Sequence, residues 1–98
     1  MIDLSPEGAH LYHQLRKKSP RTRNEEVEHA ILEQAWNLSE LRGGLFTERD
    51  FDVQNIAHNL AKRHPTWSSI ATRNLVTNTV RDFKLIGILV QTKGAGNG

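Results

Sequence analysis

Apolar residues recur along most of this 98-residue chain at helical spacing, and only near its end do they run together. Gly8, Leu11, Tyr12 and Leu15 fall at i, i+3, i+4 and i+7, which predicts a short amphipathic helix. Ser5 followed by Pro6 marks its start, and Pro20 biases Ser19 away from helical backbone, so this helix is expected to end near Lys18. The second helix has a stronger start, because Thr22 and Glu25 fit a capping box, with Asn24 as an alternative cap. Glu25, Glu26 and Glu28 then complement the positive helix end. Val27, Ile31, Ala35 and Leu38 line one stripe with Leu32 and Trp36 beside it, so the helix is expected to pack on two sides before Gly43-Gly44 stops it.

Leu45-Phe46 reads as a short strand leading into Thr47, taken as the cap of a third helix from about Glu48 to His64. Val53, Ile56, Ala57, Leu60 and Ala61 make its buried face, with Phe51 near its start, and Pro65 ends it. The gap to the next helical pattern is about three residues, room only for a tight helix-turn-helix corner. A cap lies within Thr66-Trp67-Ser68-Ser69, and a fourth helix spans roughly Ser69 to Lys84 with Val76, Val80 and Phe83 as its apolar stripe. Its Thr and Asn content gives poor intrinsic propensity, so packing must hold it. From Leu85 the chain is expected to turn directly into an apolar strand, Ile88 to Thr92, and a glycine-rich end follows Lys93.

Length and composition narrow the class. A chain this long buries roughly 60–65% of the surface its unfolded form exposes, enough for one core without staples. Cysteine is absent, which removes disulfide frameworks and thiolate metal sites. No apolar run approaches the ~20 residues of a membrane span. The start, Met1 to Glu7, lacks the basic and apolar regions of a signal peptide, so the expected setting is cytoplasmic, nucleoid-associated in a bacterium or archaeon.

Net charge is only +2, but it is segregated along the chain. Residues 12–23 carry five cations (Arg16, Lys17, Lys18, Arg21, Arg23), and residues 24–40 carry five glutamates. Residues 61–98 carry six cations against Asp82 alone. The second basic block coincides with the fourth helix, where Asn74, Thr77, Asn78 and Arg81 fall opposite the apolar stripe. Asn can bond adenine edges bidentately, Arg can bond guanine, and a Thr methyl can pack on thymine. A merely solvated helix face carries Glu, Lys and Gln instead, so this one suits double-stranded DNA. The contact set expected here is Ser69, Thr72, Arg73, Asn74, Thr77, Asn78 and Arg81, with Arg21 and Arg23 on backbone phosphate.

Other chemistry finds little footing. His10 and His13 are helical neighbours and His58 and His64 lie six apart, but no Cys or third clustered ligand completes a metal site. Each Ser is explained as a cap or turn, and no glycine-rich phosphate loop is present. Neither catalysis nor a cofactor is expected, and Trp36 and Trp67 read as core and corner anchors.

The order of elements, together with Val76-x3-Val80-x2-Phe83-x3-Gly87-Ile88-Leu89, resembles the winged-helix branch of helix-turn-helix domains over about Asn24 to Lys93. The resemblance implies a mainly α fold with a small β wing. The organisation is then an N-terminal helix and basic linker over 1–23, a winged-helix domain over 24–93, and a disordered glycine-rich tail over 94–98. Gly87 would let the chain reverse from recognition helix into wing strand, and Lys93 on the wing joins the DNA contacts. The closing strand of the wing has no candidate after Lys93: either the wing is rudimentary or the chain is part of a longer protein. The implied function is sequence-specific DNA binding by a small transcriptional or replication-associated regulator. The alternative is a protein-contact module, acting as subunit or inhibitor of a larger assembly. The added N-terminal helix is expected to form a homodimer through Leu11, Tyr12 and Leu15 against Trp36 and Leu32, or else to pack on that same patch within its own chain.

Overall fold

A computed structural model of the chain describes residues 2–18, 22–42, 46–47 and 50–91, and the order of elements is strand, four helices, strand. β1 (Ile2–Leu4) runs straight into α1 (Pro6–Lys17), and α2 (Arg23–Arg42) follows. α3 (Val53–Arg63) and α4 (Ser69–Ile86) follow one another across a short corner, and β2 (Leu89–Gln91) ends the described chain. The architecture is mainly helical with one small antiparallel sheet.

The helix starts follow local chemistry. The Ser5 hydroxyl accepts from the Gly8 N–H at 3.0 Å with Pro6 in the first turn, capping α1. Thr22 and Glu25 form the reciprocal capping box: the Thr22 N–H donates to the Glu25 carboxylate at 3.0 Å, and the Glu25 N–H donates to the Thr22 hydroxyl at 3.2 Å. The Ser68 hydroxyl accepts from the Ala71 N–H at 3.3 Å and starts α4.

α3 departs from the expected Glu48 start. Asp52 is extended, and its carboxylate accepts from the Asn55 N–H at 3.0 Å, so the helix opens at Val53. Thr47 instead closes a separate turn with Asp50, each backbone N–H bonded to the other's side chain at 3.1 Å. Glu48 and Gly43 to Leu45 lie outside the described residues.

α4 also runs further than expected. It continues past Lys84 through Leu85 and Ile86 and ends on Gly87, which caps it in the left-handed region at φ 84°. Leu85 and Ile86 are therefore exposed helix residues, 76% and 69% accessible, rather than the approach to a strand.

The sheet holds the largest difference from expectation. The partner of β2 is β1, from the other end of the chain, with Ile2 opposite Gln91, Asp3 opposite Val90 and Leu4 opposite Leu89. On its far side Ile2 bridges Phe46 through hydrogen bonds of 2.7 and 2.9 Å, so the N-terminal strand lies in the middle. A strand of three residues shows no readable alternation, which hid it in the sequence. The expected strand end, Thr92, and the tail over 94–98 lie outside the described residues.

The core joins all of these elements. Val27, Ile31, Leu32 and Ala35 of α2 pack with Ile56 and Leu60 of α3, with Val76, Val80 and Phe83 of α4, and with Ile2, Phe46 and Leu89. α2 reaches α1, α3, α4 and β1, which is why its apolar face is broad. Tyr12 and Leu15 are buried, and the Tyr12 ring stacks on Trp36 at 5.5 Å between centroids. The α1 stripe thus finds its partner surface on α2 of the same chain, and it gives no ground for a second copy.

α1 closely approaches the backbone just before β2. The Ser5 N–H and hydroxyl both donate to the Ile88 carbonyl at 3.0 Å. A Cβ on Gly8 would stand 2.7 Å from that oxygen and 2.6 Å from Leu4 Cδ1. Alanine in a helix gains about 1 kcal/mol over glycine, whereas overpacking against fixed backbone costs about 1–3 kcal/mol. Gly8→Ala is therefore expected to lower stability by up to about 2 kcal/mol despite the better helix former, read from denaturant midpoints at constant m-value. A variant more stable than wild type would show that α1 can move away from Ile88.

Candidate nucleic-acid interface

α4 lies with one side on α3 and α2 and its other side in solvent. Thr72, Val76, Val80 and Phe83, spaced i, i+4, i+8 and i+11, make the buried side. Ser69, Arg73, Asn74, Thr77, Asn78 and Arg81 are all exposed, so six of the seven contact residues expected on this helix are brought to its free surface. Thr72 is the exception, at 0% accessibility. It cannot touch a duplex in this conformation, and its hydroxyl finds no hydrogen-bond partner among the described residues. The sequence held the signal, since Thr72 stands four residues before Val76 on the same stripe.

The corner between α3 and α4 is built as a stack. His64 ends α3, its N–H bonded to the Leu60 carbonyl at 2.9 Å, and its ring lies on Trp67 at 3.9 Å between centroids with an 11° tilt. On α2, Glu26 meets the His64 ring nitrogen at 3.3 Å, and the Arg23 guanidinium sits 4.9 Å over the Trp67 ring. The cation–π contact carries Arg23 from the start of α2 to the corner that precedes α4. Arg21 and Lys93 lie outside the described residues. Sequence reasoning placed Trp67 at the corner but missed its stack with His64, which depends on a ring orientation that spacing does not encode.

Next to this corner a shallow cleft between α3 and α4 is lined by Gln54, Ala57, His58, Ala61, Ser69 and Arg73. Gln54 and His58 were not among the expected contacts, although they lie one turn apart on the exposed side of α3. Among the described residues no carboxylate lines this cleft. Four of the five glutamates of α2 are engaged or line other grooves. Glu25 pairs with Lys18, and with Glu28 it lines the groove between α1 and α2. Glu26 is on His64, and Glu33 lines the groove between α2 and α3 with Asn55, Asn59 and Arg63. The one acid on α4 is the exposed Asp82, beside Arg81.

Two of these carboxyls have displaced titrations. The hydrogen bond from Lys18, followed by the Thr22 backbone N–H, lowers the Glu25 carboxyl from 4.5 to about 2. Burial first, and then the charge of Glu25, raises that of Glu28. Among the described residues no group of three or more His, Cys, Asp or Glu side chains could hold a metal ion, and no helix is long and apolar enough to cross a membrane. No family model, curated protein or solved structure matches this chain.

Two outcomes follow from this geometry. Thr72→Val removes an unpaired buried hydroxyl and keeps the side-chain shape, so it is expected to stabilise the fold by about 1 kcal/mol. In a domain of this size that corresponds to a melting temperature higher by about 4–8 °C. A lower melting temperature would mean that the hydroxyl is satisfied in solution. The second concerns Glu25, whose folded value lies below its unfolded one. Its contribution is fully present above about pH 4.5 and is lost as pH falls through that value toward 2. The stability difference between wild type and Glu25→Gln is expected to shrink across that window in denaturant melts. A difference that does not change with pH would show that the Lys18 pair adds nothing to the fold.

Proposed function

We propose that this chain binds double-stranded DNA with α4 in the major groove and acts as a small sequence-specific regulator of transcription or replication. One observation carries the reading. The free face of α4 offers Arg73, Asn74, Thr77, Asn78 and Arg81 together, all of them exposed. Asn and Arg supply the bidentate donors and acceptors that base edges require. Phosphate contacts fall to Arg23 at the corner and to the exposed Lys62 and Arg63 at the end of α3, with Arg21 and Lys93 as further candidates by sequence. The resemblance to winged-helix domains supports the same placement of the second helix of the pair.

A second reading, contact with another protein as part of a larger assembly, rests on Leu85 and Ile86, whose exposure at the end of α4 leaves apolar surface bare. The α4 substitutions below separate the two.

Random duplex DNA is expected to bind weakly, with affinity falling as salt rises. About 4–6 phosphate contacts would give a log–log slope near −4 to −5. Arg73→Ala, Asn78→Ala and Arg81→Ala should fold as wild type, because all three side chains are exposed. Each is expected to lose about 1–3 kcal/mol on a selected site where its side chain reads a base. No binding at low salt, or wild-type binding by all three folded variants, would remove α4 as the reader.

A further inference from the structure

We propose that Ile70 reads the 5-methyl group of a pyrimidine in the major groove, an inference that rests on the DNA reading of α4 and adds an aliphatic contact larger than a Thr methyl provides. Ile70 is 75% accessible on the first turn of α4. Arg73, Asn74 and Thr77 follow it at i+3, i+4 and i+7, so all four share one exposed face. Local propensity does not account for an isoleucine there, since Ala, Lys, Glu or Arg would favour the helix more and cost nothing in solvent.

In a docked helix-turn-helix the N-terminal residues of the second helix lie nearest the base edges. The apolar group that a base pair presents in the major groove is the methyl on C5 of thymine, beside the O4 acceptor. An exposed branched aliphatic side chain flanked by Arg and Asn can cover that methyl while its neighbours bond the adjoining polar edges. Leu85 is also exposed on α4, but fifteen residues further on, about 22 Å along the axis. It belongs to a different part of the surface. Cytosine methylated at C5 presents the same group, so the ligand chemistry is a 5-methylpyrimidine edge.

The test uses the full chain. Duplexes with a random central tract are enriched for binding, and the enriched pool is re-amplified with either thymidine or deoxyuridine, which lacks only the methyl. Wild type is expected to bind the thymidine pool about fourfold tighter, the gain from burying roughly one methyl. Ile70→Ala should lose most of this preference, and Leu85→Ala should keep the wild-type preference. At the position where uracil causes the loss, a 5-methylcytosine pair compared with a cytosine pair separates the two sources: tighter binding assigns the contact to the methyl on either base, and equal binding assigns it to thymine. Failure to enrich any duplex would overturn the DNA reading itself. Enrichment with equal affinity for both pools, or an Ile70→Ala variant that keeps the preference, would overturn this inference and leave the DNA reading standing.

Discussion

The close approach of the first turn of α1 to the carbonyl of Ile88 ties the two ends of the described chain together. Ser5 reaches that oxygen with both its N–H and its hydroxyl, and the same hydroxyl caps α1. Gly8 permits the approach because it has no Cβ. With Ser5 in place, β1 is held between β2 and Phe46, and β2 in turn is fixed directly behind the Gly87 reversal that ends α4. α4 is therefore anchored at both ends, by the Ser68 cap and Trp67 corner at one and by the sheet at the other. Its buried stripe has one available phase, and the opposite face is left outward.

That outward face owes its chemistry to how the charges elsewhere are disposed. Exposed ion pairs contribute little to stability, typically about 0–1 kcal/mol, so Lys18–Glu25 and Glu26–His64 matter more for where they place charge. They hold two carboxylates against α1 and the end of α3. Glu33 opens into a separate groove. Arg23, a cation from the start of α2, is carried to the corner by Trp67. The acidic helix and the exposed polar helix thus share a core, while Glu25, Glu28 and Glu33 line grooves other than the cleft between α3 and α4.

Legibility tracked the range of the interactions. The caps of α1 and α2 and the stripes of α2 and α4 were readable because each is set by residues within a turn or two. The start of α3 was misplaced because two capping arrangements, Thr47 with Asp50 and Asp52 with Asn55, stand five residues apart, and only packing decides which begins the longer helix. β1 was missed because its partners are Phe46 and Leu89 to Gln91, and a three-residue segment carries no period of its own. Most of the α4 face was legible from Thr, Asn and Arg lying opposite Val76 and Val80. Thr72 was misjudged because residue type was weighed above position. Ile70 was passed over for the converse reason, since an apolar residue was not sought on a polar face.

The balance of charge on α4 bears on how such a surface could discriminate. Its exposed cations, Arg73 and Arg81, are partly offset by Asp82, so the helix itself offers a weak field to a polyanion. Attraction to any duplex would then come from the flanking cations at the corner and at the end of α3, while the helix would contribute in proportion to the fit of Asn74, Thr77, Asn78 and Ile70 to base edges. A strongly cationic helix gains affinity on every sequence alike, which raises the nonspecific background without raising the preference for a site. A weakly charged polar face with one aliphatic side chain gains little on random sequence and more where donors, acceptors and a methyl coincide. The low net charge of +2 is therefore compatible with a reader of sequence, provided the phosphate contacts are confined to a few positions around the helix.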